Sequence, residues 1–294
     1  MQILRQMLGD YTFLVVTLCL GILGATCGMV SSFSVLKKES LLADSIGHAS
    51  LPGVVLAYIL TNSKKMEVLL FGAFLFGIIS TLLILWIVNN SKIKHDGAMA
   101  LALSSFFGLG MVLLTYVQKT PNANQAGLNR FIFGQASTLI LDDAKNLMII
   151  SITIFFIILL FWKELKLVIF DRDFAMSLGF RPAVIDILFS ALQVLAIVTG
   201  LEAVGAVLIA SLIITPGAAA RQWTDKLSVM VMLSCAFGAL SGIIGTVISF
   251  LVPKIPTGPV VVIVLSIFAL ISVLFSPKRG VVLSKLKRGK AGGV

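Results

Sequence analysis

Three ionisable residues stand out in this sequence because each lies within or beside a long apolar segment: Asp44, His48 and Glu202. Asp44 and His48 are four residues apart, so on a helix they share one face, with Cβ atoms about 5–6 Å apart. A carboxylate and an imidazole at that spacing can hold one divalent cation, or they can form a hydrogen bond that only stabilises the helix. The residue types leave both interpretations open.

The residues around this pair offer further oxygen ligands. Pro52 removes a backbone donor and clashes with the carbonyl four residues earlier, which belongs to His48. Glu202 sits where two apolar segments meet. If Glu202 approaches Asp44 and His48, the site has two carboxylates and one nitrogen. Such an oxygen-rich set suits Mn²⁺ or Fe²⁺, whereas additional imidazole suits Zn²⁺.

The sequence contains no motif for catalysis. It has no Gly-x-x-x-x-Gly-Lys-Ser/Thr phosphate-binding loop, no His-Glu-x-x-His and no Gly-x-Ser-x-Gly. The second histidine, His95, lies in a polar turn where solvation is the expected role. The three cysteines, Cys19, Cys27 and Cys235, lie inside apolar segments and match no zinc motif. We therefore expect no catalytic site and no tightly bound cofactor, and the chain is not expected to be an enzyme.

The composition places this protein in a membrane. Of its 294 residues, 58% are hydrophobic and 12% are charged, about half the charged fraction of an average soluble domain. The mean hydropathy is +1.06. These values exclude a soluble enzyme, a disordered chain and a disulfide scaffold. They leave a multi-span membrane protein, in which charged groups inside the spans usually face a cavity or each other.

Nine apolar segments approach the length of about 20 residues that a helix needs to cross a bilayer. They are residues 11–36, 45–63, 68–91, 97–118, 146–162, 182–201, 203–220, 227–253 and 255–277. The sixth and seventh meet at Glu202 with almost no loop, so one of them can be a half-span or a broken helix. We expect an all-α, polytopic integral membrane helix bundle with eight to nine transmembrane segments, forming a single domain over residues 1–294.

The distribution of Lys and Arg predicts the orientation in the plasma membrane. When the loop at about 163–181 and the basic tail 278–294 lie on one side, that side carries 16 of the 23 Lys and Arg residues. We therefore expect this side to be cytoplasmic. The polar loop 119–145 is then external, and so is the N-terminus if the chain has nine spans. Basic residues in short clusters between apolar segments indicate membrane orientation, and no nucleic-acid partner is expected.

Two further features predict packing. Gly24 with Gly28, and Gly238 with Gly242, form two Gly-x-x-x-Gly motifs, which let helix backbones approach each other closely in lipid. A packed polytopic bundle accounts for both motifs. Asp186 lies near the start of a span, where we expect it to pair with a neighbouring cation near the headgroups.

A short capped helix is predicted within the cytoplasmic loop. Asp171 is a suitable N-cap, Asp173 lies in the first turn, and Gly179 suits the position after the last turn. Phe174 and Leu178 share one face at a spacing of four residues and are expected to be exposed. The pattern alone is compatible with a helix that lies along the bilayer or with one that docks a partner.

The sequence resembles a known family. Residues 41–55 contain Asp-x-x-x-His-x-x-x-Pro-Gly from Asp44 to Gly53. This stretch is similar to the signature of the permease subunits of ATP-binding-cassette (ABC) importers for manganese, zinc and iron. Further similar stretches are residues 92–107, 131–134, 170–179, 204–209 and 214–221. Their order and spacing together are specific, and the resemblance covers nearly all of residues 31–277.

The resemblance implies a homodimeric permease with the translocation path between the protomers. Asp44 and His48 would line the metal pathway, and Glu202 fits an acidic position of manganese-type members. The short helix would dock a cytoplasmic ABC ATPase through Asp171, Phe174, Ala175, Leu178 and Gly179. An extracytoplasmic metal-binding protein would deliver the cation, so the transported ion is expected to be Mn²⁺, or else Zn²⁺ or Fe²⁺. Membrane lipid is the remaining expected partner.

Two other classes of protein fit part of the pattern. A proton-coupled secondary cation transporter would use Asp44 or Glu202 as a proton carrier and would need no ATPase. A membrane scaffold would leave the ionisable residues in the spans unexplained.

Overall fold

The computed structural model describes residues 10–39, 41–63, 65–119, 141–252 and 255–281. These residues form eleven helices and no strand, so the all-α prediction is confirmed. The helices are α1 (Tyr11–Lys37), α2 (Leu42–Thr61), α3 (Met66–Asn90), α4 (His95–Gln118), α5 (Leu141–Leu160), α6 (Trp162–Phe170), α7 (Arg172–Ser177), α8 (Pro182–Val204), α9 (Ala206–Trp223), α10 (Leu227–Leu251) and α11 (Thr257–Phe275).

The long helices correspond to the predicted apolar segments. Seven of them, α1 to α4, α8, α10 and α11, are long and apolar enough to cross a membrane. The bent pair of α5 and α6 raises this number to eight if it counts as one span. The protein is therefore a multi-pass membrane protein with a helical fold, as predicted. The seven or eight spans among the described residues compare with the eight to nine that we predicted, and the predicted segment 203–220, which forms most of α9, is not among them.

The predicted break between two spans lies at Gly205. α8 ends at Val204, and α9 begins at Ala206. Gly205 has φ 85° and ψ 168°, a backbone conformation that glycine adopts readily and other residues rarely adopt. Its N–H still donates to the carbonyl of Leu201 at 3.0 Å. The junction that we placed at Glu202 is therefore three residues further along the chain.

The predicted end of the external loop 119–145 is wrong. The described part of α5 begins at Leu141, inside this loop, with the polar sequence Leu-Asp-Asp-Ala-Lys. Hydropathy does not assign these residues to an apolar segment, because three of the five are charged.

The predicted cytoplasmic loop 163–181 also contains more helix than we expected. The chain bends by 64° after α5 and continues as α6. This helix forms because Leu165 and Val168 lie on one face and are buried. Two buried residues at helical spacing can hold a short helix against its neighbours, but they are too few to give the signal of a span.

The helices group into two compact units. Residues 1–38, 136–151 and 211–294 form unit 1, and residues 39–135 and 152–210 form unit 2. The single domain over residues 1–294 stays a prediction.

In unit 1, the two Gly-x-x-x-Gly motifs pack α1 against α10, which confirms their predicted role. A methyl group at Gly24 would overlap the carbonyl oxygen of Gly238, and a methyl group at Gly238 would overlap that of Gly24. Ser234 of α10 donates to the carbonyl of Gly28. The two backbones are therefore in direct contact, at a distance that only glycine permits.

Unit 1 also contains a proline within α9, and α1 compensates for it. Pro216 lacks the N–H that would continue the helical hydrogen bonding. The Ser31 hydroxyl accepts from the N–H of Gly217 at 2.8 Å and donates to the carbonyl of Ile214 at 3.1 Å. Ser31 is fully buried, so α1 holds α9 at the turn that the proline weakens.

The segment after α11 is tied to the turn before α10 through Asp225. Its carboxylate lies 2.7 Å from Nζ of Lys278, 2.9 Å from Nη2 of Arg279 and 3.8 Å from Nη1 of Arg221. The hydrogen bond from Lys278, with the charges of Arg279 and Arg221, lowers the pKa of Asp225 below its usual value. The pKa of Asp225 is therefore lower in the folded protein than in the unfolded chain. The stabilisation by these ion pairs is complete when the pH is above the pKa of the unfolded chain, and it is lost as the pH falls through the pKa of the folded protein.

The substitution Asp225→Asn is expected to loosen the start of the C-terminal segment. The amides of Arg279 and Gly280 donate to Ser276, and at low salt their hydrogen exchange should become roughly two- to fivefold faster, the effect of losing exposed ion pairs. Salt should reduce the difference. Asp96→Asn, at an exposed carboxylate elsewhere, should leave these amides unchanged. Unaltered exchange in Asp225→Asn at low salt would show that the ion pairs do not hold the segment.

In unit 2, α2 is held on two sides. Gly53 of α2 and Gly72 of α3 each face the other's carbonyl oxygen too closely for any side chain. The Ser45 hydroxyl donates to the carbonyl of Met99 on α4 at 2.8 Å. α2 therefore has a fixed position between α3 and α4, and it carries two of the predicted site residues.

Candidate functional site

α2 brings Asp44 and His48 together, as the spacing predicts. Nε2 of His48 lies 3.5 Å from Oδ1 of Asp44, and the two side chains are 34% and 46% exposed, respectively. Asp44 is in the first turn of α2, and His48 is one turn further into the helix. The position of Asp44 is favourable because the N-terminal end of a helix attracts negative charge.

Neighbouring residues hold the histidine ring and leave space beside it. The ring of Phe107 on α4 makes an edge contact with His48, with centroids 4.8 Å apart and planes at 74°. A methyl group at Gly47 would meet no atom within 4 Å, and the same is true at Gly108, next to Phe107. The pair therefore lies at a partly open face of unit 2.

The distance between the two side chains limits what they do together. Nε2 of His48 and Oδ1 of Asp44 are 3.5 Å apart. The two heavy atoms of an ordinary N–H···O hydrogen bond are closer, at about 2.7–3.2 Å. Two ligand atoms at this separation can each lie about 2.1 Å from one ion, with an angle of about 110° between them. The separation is therefore compatible with two adjacent ligands of one ion, and it is too long for a tight hydrogen bond.

The proline in α2 leaves one backbone oxygen near His48 without its usual donor. α2 continues through Pro52 to Thr61, and proline has no N–H, so the carbonyl of His48 has no main-chain donor at the usual position. Carbonyl oxygen is a ligand for hard cations such as Mn²⁺. One carboxylate, one imidazole and one carbonyl without its usual main-chain donor thus occur within residues 44–48 of α2. Their joint binding of a metal ion stays a prediction.

Glu202 lies in the last turn of α8, but its side chain is outside the described part of the structure. Its approach to Asp44 and His48 stays a prediction. Among the described residues, no three His, Cys, Asp or Glu side chains are grouped as metal ligands.

The caps that we predicted for the short helix are confirmed. Oδ1 of Asp171 accepts the N–H of Phe174 at 3.0 Å, and α7 begins directly after it. Gly179 has φ +86°, as expected after the last turn. Ala175 is fully buried, whereas Phe174 and Leu178 are 52% and 56% exposed. The helix thus packs inward through Ala175 and presents two large apolar side chains outward.

α7 is tied to α8 by an ion pair. Nη1 of Arg172 lies 3.0 Å from Oδ2 of Asp186, and Asp186 is only 8% exposed. The predicted pairing of Asp186 with a neighbouring cation is confirmed. We did not foresee that the partner would be Arg172 on α7, because no spacing rule pairs residues on two different helices.

A family model described as the ABC 3 transport family matches residues 10–276. The chain belongs to this family. The resemblance inferred from the motifs, to permease subunits of manganese, zinc and iron ABC importers, is confirmed. This ABC 3 protein is a membrane permease subunit. The similar stretch at residues 131–134 lies outside the described residues.

Individual relatives agree with this membership. The ABC 3 permease is 44% identical over 288 residues to the zinc transport system membrane protein TroC of Treponema pallidum, covering 98% of this chain and 97% of that protein. It is 39% identical over 259 residues to the manganese transport system membrane protein MntC of Bacillus subtilis, covering 88% of this chain but 60% of that protein.

A solved structure has the same fold. The structure of PsaBC from Streptococcus pneumoniae in complex with Fab matches with a TM-score of 0.82 and 29% identity. The match covers 98% of this chain and 99% of that chain.

Proposed function

We propose that this ABC 3 permease imports a divalent transition-metal cation into the cytoplasm, with Mn²⁺ as the preferred ion, and that a partner ATPase drives the import. The observation that carries the proposal is the pair of Asp44 and His48, whose ligand atoms are 3.5 Å apart on a membrane-spanning helix. A half-exposed acid and imidazole in a span are costly unless they meet water or a cation.

The ligand types favour Mn²⁺. Carboxylate and carbonyl oxygens with one imidazole suit Mn²⁺ or Fe²⁺, whereas closed zinc sites use several nitrogen and sulfur ligands. Glu202 would complete an oxygen-rich set with Asp44 and His48. Zn²⁺ is the second candidate because TroC, at 44% identity, is named as a zinc transport protein.

A route for coupling runs through unit 2. α7 is joined to α8 by Arg172 and Asp186 at 3.0 Å, and α8 packs against α2. Gly77 of α3 lies against Val194 of α8 and Ile46 of α2, so a movement of α8 is transmitted to the helix that carries the metal ligands. ATP-driven closure of two ATPases against α7 would switch a permease dimer between outward- and inward-facing states.

The ion should bind only transiently. Transport needs binding strong enough for entry and weak enough for release. Asp44 and His48 form an incomplete site that leaves positions for water. Delivery by an extracytoplasmic metal-binding protein would then raise the local concentration of the ion at the outer face.

Metal accumulation in a strain that lacks this chain tests the proposal. Re-expression should restore cellular Mn²⁺ at low external concentration, and uptake should persist with a protonophore while ATP is maintained. Restoration of Zn²⁺ alone would make zinc the cargo. Loss of uptake with the proton gradient, at constant ATP, would favour a secondary transporter that uses Asp44 or Glu202 as its proton carrier.

The double substitution Phe174→Ala with Leu178→Ala is expected to uncouple the transporter. Removal of two exposed apolar contacts at a docking helix should reduce ATPase association and metal uptake by about tenfold or more. Co-purification of the ATPase and uptake in proteoliposomes measure this directly. Val184→Ala, at an exposed apolar residue outside α7, is the control and should change neither. Normal association and uptake in the double variant would contradict docking through α7.

A further inference from the structure

A groove beside α6 has no role in the transport function described above. Six residues line it: Trp162, Lys163, Lys166, Leu167, Phe170 and Asp171. Its volume is about 370 Å³. Lys163, Lys166 and Phe170 are exposed, so the groove opens to the surroundings of the protein.

The two faces of α6 differ in character. Leu165 and Val168 are buried against the rest of unit 2. Lys163 and Lys166 are three residues apart, so they lie together on the opposite, exposed face. Leu167 and Phe170 each lie four residues after one of the lysines and provide apolar surface between and beyond them. The groove therefore combines a cationic edge with an apolar floor.

The place of α6 in the chain indicates that this groove lies at the membrane surface. The apolar part of α5 ends at Leu160, the chain bends by 64°, and α6 follows with charged residues in its first turn. A short amphipathic helix that leaves a span at such an angle lies in the interface between headgroups and acyl chains. α6 begins with Trp162, and tryptophan is enriched at that depth.

The charges at the groove favour an anion. Lys163 and Lys166 supply two positive charges. The one carboxylate of the lining, Asp171, accepts the N–H of Phe174 at 3.0 Å and so serves as the cap of α7. Glu164 is not among the lining residues, and one of its carboxylate oxygens, Oε2, is buried. The lining therefore carries two positive charges and one negative charge, next to apolar surface.

We propose that the groove binds an anionic phospholipid of the cytoplasmic leaflet. The phosphate lies between Lys163 and Lys166, and the acyl chains follow Leu167 and the two aromatic rings. A lipid in this position holds the junction between α6 and α7 directly before Asp171. Anionic lipid would thereby steady the helix through which the ATPase is proposed to act, although lipid binding itself does not depend on that role.

Quenching of tryptophan fluorescence by brominated lipid tests the proposal. The permease with its ATPase is placed in nanodiscs of phosphatidylcholine that contain increasing brominated phosphatidylglycerol or brominated phosphatidylcholine. The part of the quenching that is lost in Trp162→Phe reports on this groove. In the wild type, the quenching of Trp162 should saturate at a lower lipid fraction with brominated phosphatidylglycerol than with brominated phosphatidylcholine. The difference should be about fivefold for each lysine.

Three charge variants decide the source of the preference. Lys163→Gln with Lys166→Gln should abolish the preference for phosphatidylglycerol over phosphatidylcholine. Lys163→Arg with Lys166→Arg should keep this preference. Lys92→Gln with Lys94→Gln removes two exposed lysines from a turn on the same predicted side and should also keep it. Equal quenching by both lipids in the wild type, an equal loss in both glutamine pairs, or no quenching of Trp162 by either lipid would overturn the proposal.

Discussion

Replacement of His48 by alanine is expected to reduce metal uptake by at least about 100-fold while the protein stays in the membrane at normal abundance. Loss of residues that only support metal ligands already costs about 10–100-fold in affinity or activity, and His48 is proposed to be a ligand itself. Asp44→Asn, which keeps the size but removes the charge, should have a similar effect. Uptake of radioactive Mn²⁺ at low concentration, with abundance from immunoblots, measures both quantities.

The second histidine of the chain provides the matched control. His95 is the first residue of α4. His95→Ala also removes an imidazole, but it leaves the sequence of α2 unchanged. Its uptake should remain close to that of the wild type. If His48→Ala lowers uptake and abundance in equal proportion, the pair of Asp44 and His48 is structural, as the second interpretation of the sequence holds.

Alanine at Gly24 or Gly238 is expected to destabilise unit 1 strongly. Each methyl group would overlap a carbonyl oxygen of the facing helix, so α1 and α10 must separate along their contact. Overpacking of this kind costs about 1–3 kcal/mol, and a backbone contact can relax less than a side chain. We expect a fall of several degrees in the thermal unfolding temperature in detergent and a lower abundance in membranes.

The variant Gly108→Ala tests whether the loss of stability comes from the contact between α1 and α10 or from replacing any helical glycine. Gly108 is also in a helix, but a methyl group there meets no atom within 4 Å. Gly108→Ala should be neutral, or more stable by up to about 1 kcal/mol, because alanine is the better helix former. Equal unfolding temperatures for the Gly24, Gly238 and Gly108 variants would contradict a close contact between α1 and α10.

Features that depend on neighbours in the sequence could be predicted. Hydropathy identifies the long helices, because crossing a membrane requires about 20 apolar residues in succession. The spacing of four residues predicts the shared face of Asp44 and His48. The preferences of Asp171 and Gly179 for helix ends predict the limits of α7, since capping is a local interaction.

Features that depend on distant contacts could not be predicted. The hydroxyl of Ser31 bonds to the N–H of Gly217, 186 positions away, and no local pattern identifies such a partner for a buried serine. Arg172 and Asp186 pair only because α7 folds back onto the start of α8. We did not predict α6, because it has few apolar residues and is stabilised by their burial against other helices. Local sequence therefore predicts the helices and their ends better than the bonds between them.

The most direct measurement for the metal site is anomalous scattering from crystals of the permease soaked in Mn²⁺ and measured at the manganese absorption edge. The proposed function predicts a peak about 2.2 Å from both Oδ1 of Asp44 and Nε2 of His48, and its loss in His48→Ala crystals. A manganese peak at another place in the protein, with none beside these two side chains, would contradict the assignment of α2 as the helix that carries the metal ligands.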